Sequence, residues 1–199
     1  MFEYFKKKFN RNRLKDESFA HLFDEYDGNE FVVYDCETTG LNTKKNEILS
    51  IGAVKIRNNK IITSEIFEVF LKPSGAISEK SITIHHIRPC DLEGALEPKE
   101  AVMKFIDFIG NRPLVGYYLE FDVAMVERYV KQYLGIRLPN RQIEVSGLYF
   151  DKKIALIPQG NIDLRFDTIL QDLQVPQMGQ HNAVNDAIMT AMIYLKLKS

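Results

Sequence analysis

The sequence predicts an α/β fold: a mixed central sheet, three antiparallel N-terminal strands and then parallel ones, flanked by helices. Three observations lead there. An apolar run, FVVYDC, follows the turn-forming stretch DGNE. Residues 48–71 alternate apolar and polar side chains on both sides of Asn58-Asn59, the pattern of two strands joined by a tight turn. Most of the second half carries apolar residues at helical spacing.

Taken in order, MFEYFKKKFNRNRLK holds six Lys/Arg against one Glu, so its net +5 leaves −6 on the rest of a chain whose total is −1. Phe2, Tyr4, Phe5 and Phe9 are interleaved with those charges. The segment reads as a solvated arm or docking helix, with nucleic-acid or partner contact as the other option. LKDESFAHLFDEY predicts a short helix, so residues 1–28 form an arm and residues 29–199 the domain proper. The first strand starts at Phe31, and the hairpin supplies the next two. SEKSITIHHI predicts a short helix or turn, and PKEAVMKFIDFIGN a helix ended by Asn111 and Pro113. PLVGYY reads as a buried strand. Helices are expected at residues 121–134, 161–173 and 182–197.

With 199 residues, 45% hydrophobic and 27% charged, one core of ordinary size is expected. A net charge of −1 offers no global attraction for polyanions, so such a partner must be held by local groups or metal ions. Two cysteines, Cys36 and Cys90, without a zinc-type pattern, and no long apolar stretch, point to a reducing, cytoplasmic setting without a membrane.

Residues i and i+2 of a strand share a face, so VVYDCETTG puts Asp35 and Glu37 together and turns Cys36 away. Two unit charges ~4 Å apart repel by about 1 kcal/mol in water and about 4 kcal/mol at an effective dielectric near 20. A divalent cation would relieve that repulsion. The spacing alone decides little, because Asp91-Leu92-Glu93 repeats it in a segment with no strand pattern. Asp122 falls near a helix start, where a carboxylate can simply complement the helix dipole. His181 and Asp186 flank another helix start; His86 and Asp91 share their spacing but are interrupted by Pro89.

Together and in this order, the three features resemble the DEDD superfamily of 3′-to-5′ exonucleases, in the subclass with histidine in its third motif. The likeness is to proofreading epsilon subunits of DNA polymerase III and to ribonuclease T. Asp35, Glu37, Thr38, Thr39, Gly40 and Leu41 match the first motif, DxETTGL. Phe121-Asp122 matches the second, and His181 with Asp186 the third, His-x-x-x-x-Asp. The tyrosine subclass would place Tyr where Asn182 stands. ITIHHIRPCDLEGA resembles the family's substrate-side segment, with His85 at its histidine. Tyr118 departs from the pattern, which usually has Asn there.

The resemblance implies a ribonuclease H-like fold over residues 29–199 and two divalent cations, Mg²⁺ or Mn²⁺. Asp35 would bridge them, Glu37 and Asp186 would hold one, and Asp122 would support the other. His181 is then the general base and not a ligand, since an imidazole can accept a proton near neutral pH. Thr38, Thr39, Leu41, His85 and Phe121 are the candidate substrate contacts, Leu41 and Phe121 by packing on bases. The implied activity is removal of nucleoside 5′-monophosphates from single-stranded or frayed 3′ ends, DNA before RNA. An RNA-trimming enzyme and a binding module without chemistry are the competing expectations. A polymerase or other protein partner is expected, with the chain itself a monomer or homodimer.

Overall fold

A computed structural model describes residues 2–156 and 160–198; Met1 and Ser199, the outer ends of the two expected segments, lie outside them. Helix α1 (Phe2–Arg11) and a 3₁₀ turn at Glu17–Phe23 precede strands β1 (Glu30–Thr38), β2 (Ile48–Arg57) and β3 (Lys60–Phe70). Asn58 and Asn59 both take positive φ, 51° and 58°, and Arg57 pairs with Lys60. Two left-handed residues in a two-residue connection match the right-handed twist of the strands they join. Helices α2 (Glu79–His85) and α3 (Pro98–Ile109) lead to β4 (Leu114–Gly116), α4 (Leu119–Leu134) and β5 (Gln142–Glu144). Helices α5 (Val145–Leu156), α6 (Phe166–Asp172) and α7 (Ala183–Lys198) complete the order.

The sheet order is β3-β2-β1-β4-β5, with β1, β2 and β3 antiparallel and β4 and β5 parallel to β1. Both faces are covered, which is why β1 reads as a nearly unbroken apolar run. Val32, Tyr34 and Cys36 pack into a cluster with Phe105, Ile106, Val126 and Val130 from α3 and α4. Val33 points the other way, among Val145, Ile169, Met189 and Ile193 from α5, α6 and α7. Burying one such side chain contributes roughly 1.5–3 kcal/mol, so the alternation along β1 fixes which way Asp35 and Glu37 face.

Two local expectations change, and one alternative is settled. A 3₁₀ turn replaces the short helix expected at residues 14–26. Of the helix expected at 161–173, only Phe166–Asp172 forms, because the Asp163 carboxylate accepts the Arg165 N–H (3.0 Å) and the Thr168 hydroxyl (2.9 Å) in a non-helical entry. The basic N-terminal segment is docked: the Lys15 N–H donates to the Leu134 carbonyl (3.0 Å), and Leu22 is buried in the first cluster. Among the described residues no helix is long and apolar enough to cross a membrane.

Candidate active site

Asp35 and Glu37 lie on the same face of β1 as Val33, toward α7. Glu37 pairs with Ser50 and Thr38 with Ile48, so the ladder slips by one residue immediately beyond the second carboxylate. Such a bulge ends pairing and re-aims the chain that follows it. Asp35 pairs with Gly52 of β2. A Cβ at Gly52 would come within 2.3 Å of the Ala183 carbonyl carbon and the Val184 nitrogen, so glycine here lets the start of α7 rest directly on the sheet.

That contact delivers the third motif. Asn182 caps α7, its side-chain oxygen accepting the Asn185 N–H (3.0 Å). His181, in the left-handed region at φ 59°, donates its backbone N–H to Asp186 Oδ2 (3.0 Å). Asp186 Oδ1 is buried with no hydrogen-bond partner. His181 is exposed.

One ligand oxygen each from Asp35, Glu37 and Asp186 lies within 4.8 Å of the others. His181 is not part of the group. Burial, then the neighbouring Asp186 charge, pushes Glu37 up to about 7. Burial likewise raises Asp186 to about 6, against the opposing pull of the His181 N–H. Asp35 is raised well above the carboxylate range by burial and then by Asp122, Glu37 and Asp186. Three carboxylates that resist charging, one with an unpartnered buried oxygen, form a donor set suited to a hard divalent cation.

Asp122 stands one step back from that trio. It belongs to α4, in the opposite helical layer, and is 3% exposed. Burial raises its pKa, while the Cys36 thiol and backbone N–H beside it pull the other way. Cys36 does turn into the opposite layer, and there it is the neighbour of the second-motif carboxylate. The rival Asp91 is held by Arg88 through two guanidinium contacts of 3.0 Å on an exposed 3₁₀ turn.

The five candidate substrate contacts divide. Leu41 is 83% exposed, and Phe121 is half-buried and stacked on the exposed Tyr118 ring at 6.2 Å. The Thr38 hydroxyl donates to the Gly40 carbonyl (3.0 Å), and Thr39 Oγ1 accepts the Glu47 N–H (2.9 Å), so both side chains shape the loop after β1. His85, the remaining candidate substrate contact, is buried at 4% exposure. Its Nδ1 accepts the Ile87 N–H (3.0 Å), which leaves Nε2–H to donate to Ser81 Oγ (2.7 Å). Ser81 Oγ in turn donates to the Thr38 carbonyl (3.3 Å), and burial keeps the imidazole pKa low.

Two positioning residues escape a reading of the sequence. Gly52 has a signal only in hindsight, as a glycine inside an otherwise apolar strand. Glu144 accepts the Leu119 N–H (2.7 Å) through one oxygen and the Ser146 N–H (3.0 Å) and hydroxyl (2.8 Å) through the other. It thereby fixes the start of α4, where Tyr118 takes a left-handed conformation at φ 54° and Asp122 follows in the first turn.

Relatives and structural neighbours identify the family and the fold. The chain is 34% identical over 172 residues to a PolC-type DNA polymerase III of Caldanaerobacter subterraneus, covering 84% of this chain and 11% of that protein. It is 28% identical over 167 residues to the DNA polymerase III subunit epsilon of Aquifex aeolicus, covering 84% of this chain and 79% of the relative. The chain thus spans only about a tenth of the PolC-type polymerases that it matches. Cell-death related nuclease 4 shares the fold with a TM-score of 0.73 at 15% identity, over 86% of this chain and 64% of that one. E. coli exonuclease I, solved with a dT13 oligonucleotide, superposes with a TM-score of 0.70 at 14% identity, over 85% and 41% of the two chains. The RNase T exonuclease model matches residues 32–194, a stretch that contains every carboxylate of the site, and this chain belongs to that exonuclease family.

Proposed function

We propose that the chain is a divalent-metal-dependent 3′-to-5′ exonuclease releasing nucleoside 5′-monophosphates from single-stranded or frayed 3′ ends, preferentially of DNA. The observation that carries this reading is the trio Asp35, Glu37 and Asp186 within 4.8 Å, with a buried Asp186 oxygen lacking a partner. These residues would hold Mg²⁺ or Mn²⁺, with Asp122 supporting a second ion from α4. Bound there, such cations neutralise charge on the attacking and leaving oxygens of a phosphodiester.

The chain's own groups supply the rest. The β1 ladder and the Gly52 contact hold the carboxylates rigidly, so little reorganisation accompanies the reaction. An imidazole nitrogen of His181 takes the proton of the attacking water, and the exposure of this residue lets that proton pass to solvent. Leu41 and the Tyr118–Phe121 pair present apolar surface to the terminal bases, a mode of contact that tolerates any sequence. The polymerase III relatives support a replicative protein as the recruiting partner.

The test is degradation of 5′-labelled single strands of DNA and of RNA with Mg²⁺, with Mn²⁺ and with chelator. Stepwise shortening from the 3′ end, faster on DNA and abolished by chelator, is expected. A faster rate on RNA moves the reading to an exoribonuclease. A folded protein that binds strands and releases no mononucleotide with either metal overturns it.

A further inference from the structure

We propose that α1 and the outer face of α4 form a basic track for the part of the strand lying 5′ to the scissile end, a reading that rests on the exonuclease assignment. Two grooves make the track. One, of about 990 Å³, runs between α1 and residues 135–142, and Lys6, Lys7, Arg13, Lys131 and Arg137 line it. The other, of about 710 Å³, continues along α4 past Lys131 and Arg128 to Thr43 and Lys44. They share Glu127 and Lys131 and so adjoin on α4. Among the described residues that line the two grooves, Glu127 is the one acidic side chain; Lys131 pairs with it at 2.9 Å, and it accepts the Leu138 N–H at 3.2 Å. This concentration of positive charge stands on a chain whose net charge is −1.

The track is built, and one end is tied to the loop that follows β1. The Arg128 guanidinium donates to the Thr43 carbonyl (3.1 Å), tying α4 to the loop that follows Glu37 and Leu41. At the far end Asn10 exchanges two hydrogen bonds with the Arg137 backbone (2.9 and 2.8 Å), which seats α1 against the chain leaving α4. Gly135, at φ 76°, permits that approach, since a Cβ there would lie 2.6 Å from the Arg13 carbonyl oxygen. From Asp122 to Gly135 the helix rises by about 20 Å, room for several nucleotides upstream of the end being cut. Phe9 is 66% exposed beside the groove with the Arg13 guanidinium 5.9 Å from its ring centre, an aromatic and a cation offered together to bases and phosphates.

The test compares wild type with a Lys7→Gln/Arg13→Gln/Arg137→Gln variant and with an Arg13→Lys/Arg137→Lys control that keeps the charge. KM and kcat are measured on a single strand of about twenty nucleotides and on a trinucleotide, and binding of the longer strand is followed by fluorescence anisotropy in EDTA. The neutral variant should raise KM for the long strand roughly tenfold or more, leave kcat and the trinucleotide unchanged, and flatten the salt dependence by about 0.7 per lost phosphate contact. The Lys control should behave as wild type. Unchanged long-strand binding and KM in the folded neutral variant overturns the track. Failure of the exonuclease reading is seen separately, as absence of turnover on either length while binding in EDTA still reports on the track.

Discussion

Gly52 lies against the backbone of Ala183, with no room for a side chain: an added Cβ would sit 2.3 Å from the Ala183 carbonyl carbon. Because Gly52 is also the cross-strand partner of Asp35, this one contact sets the first-motif strand and the third-motif helix at a fixed separation. Backbone cannot step aside as a flexible side chain can. Gly52→Ala must therefore lift the start of α7, moving Asp186 and His181 away from Asp35 and Glu37. A shift on the order of 1 Å at reacting groups can cost roughly 100-fold in rate. The expected result is a loss of that order in kcat/KM by a protein whose circular dichroism remains native, and wild-type turnover would show that the helix start is not constrained here.

The acidic trio makes the stability of the metal-free protein depend on pH in a defined direction. Glu37 rises from 4.5 to about 7 and Asp186 from 3.8 to about 6, both through burial first. A carboxylate with a raised folded-state pKa binds more protons folded than unfolded, so stability falls as pH climbs from the unfolded value through the folded one. In EDTA the melting temperature should drop between about pH 4 and about pH 8, at up to roughly 1.4 kcal/mol per pH unit for each group within its own window. Mn²⁺ should restore it, with a larger gain at the alkaline end. Glu37→Gln removes one of the charges, and its EDTA melting curve should lose part of the slope. A metal-free protein that grows more stable over this interval contradicts the electrostatics of the site.

What is readable in the sequence follows from periodicity. Strands β1, β2 and β3 and helices α3 and α4 each contain enough residues to display a period, while α7 is apolar on most faces and stands out by its length. Strand β5 has three residues and cannot alternate. Helix α5 begins directly after it with no apolar stripe of its own, so nothing local separates Val145–Leu156 from a loop. Within the site, Asp35, Glu37 and Asp186 are legible because chemistry restricts the residue types. The burial of His85 is not, because a histidine at a family position looks the same in sequence whether it is exposed or packed under the strand. The contacts of Gly52 with Ala183, and of Glu144 with Leu119, join segments far apart in the chain, and only packing reveals them.

The roles of His181 and His85 are separable because they predict different losses. His181 is exposed, outside the trio, and joined to Asp186 through its backbone N–H. His181→Ala keeps that N–H, so Mn²⁺ affinity measured by titration calorimetry should be retained while single-turnover rate falls by about 10²–10⁴-fold, the range for a lost general base. His85→Ala instead breaks the chain of hydrogen bonds through Ser81 to the Thr38 carbonyl. A buried partner left unsatisfied costs about 1–3 kcal/mol, so its signature is a lowered melting temperature. Loss of Mn²⁺ binding in His181→Ala would refute the assignment of that residue as a base.

Tyr118 stands where the family usually has asparagine, and the structure gives the exchange a physical consequence. It is 67% exposed, held at φ 54° at the entry to α4, and its ring lies nearly parallel to Phe121 at an interplanar angle of 15°. Asparagine tolerates the left-handed conformation more readily than tyrosine, so the backbone gains nothing from the ring. The gain is aromatic surface one helical turn from Asp122, able to stack on a base near the 3′ end. Loss of one base stack costs about 1–3 kcal/mol, so Tyr118→Asn should raise KM for a trinucleotide by roughly 5- to 100-fold. Because a stack made equally in ground and transition states binds without accelerating, kcat should hold. Equal loss in kcat and kcat/KM would instead place the ring among the groups that orient the scissile phosphate, and an abasic 3′ nucleotide would then remain sensitive to the substitution.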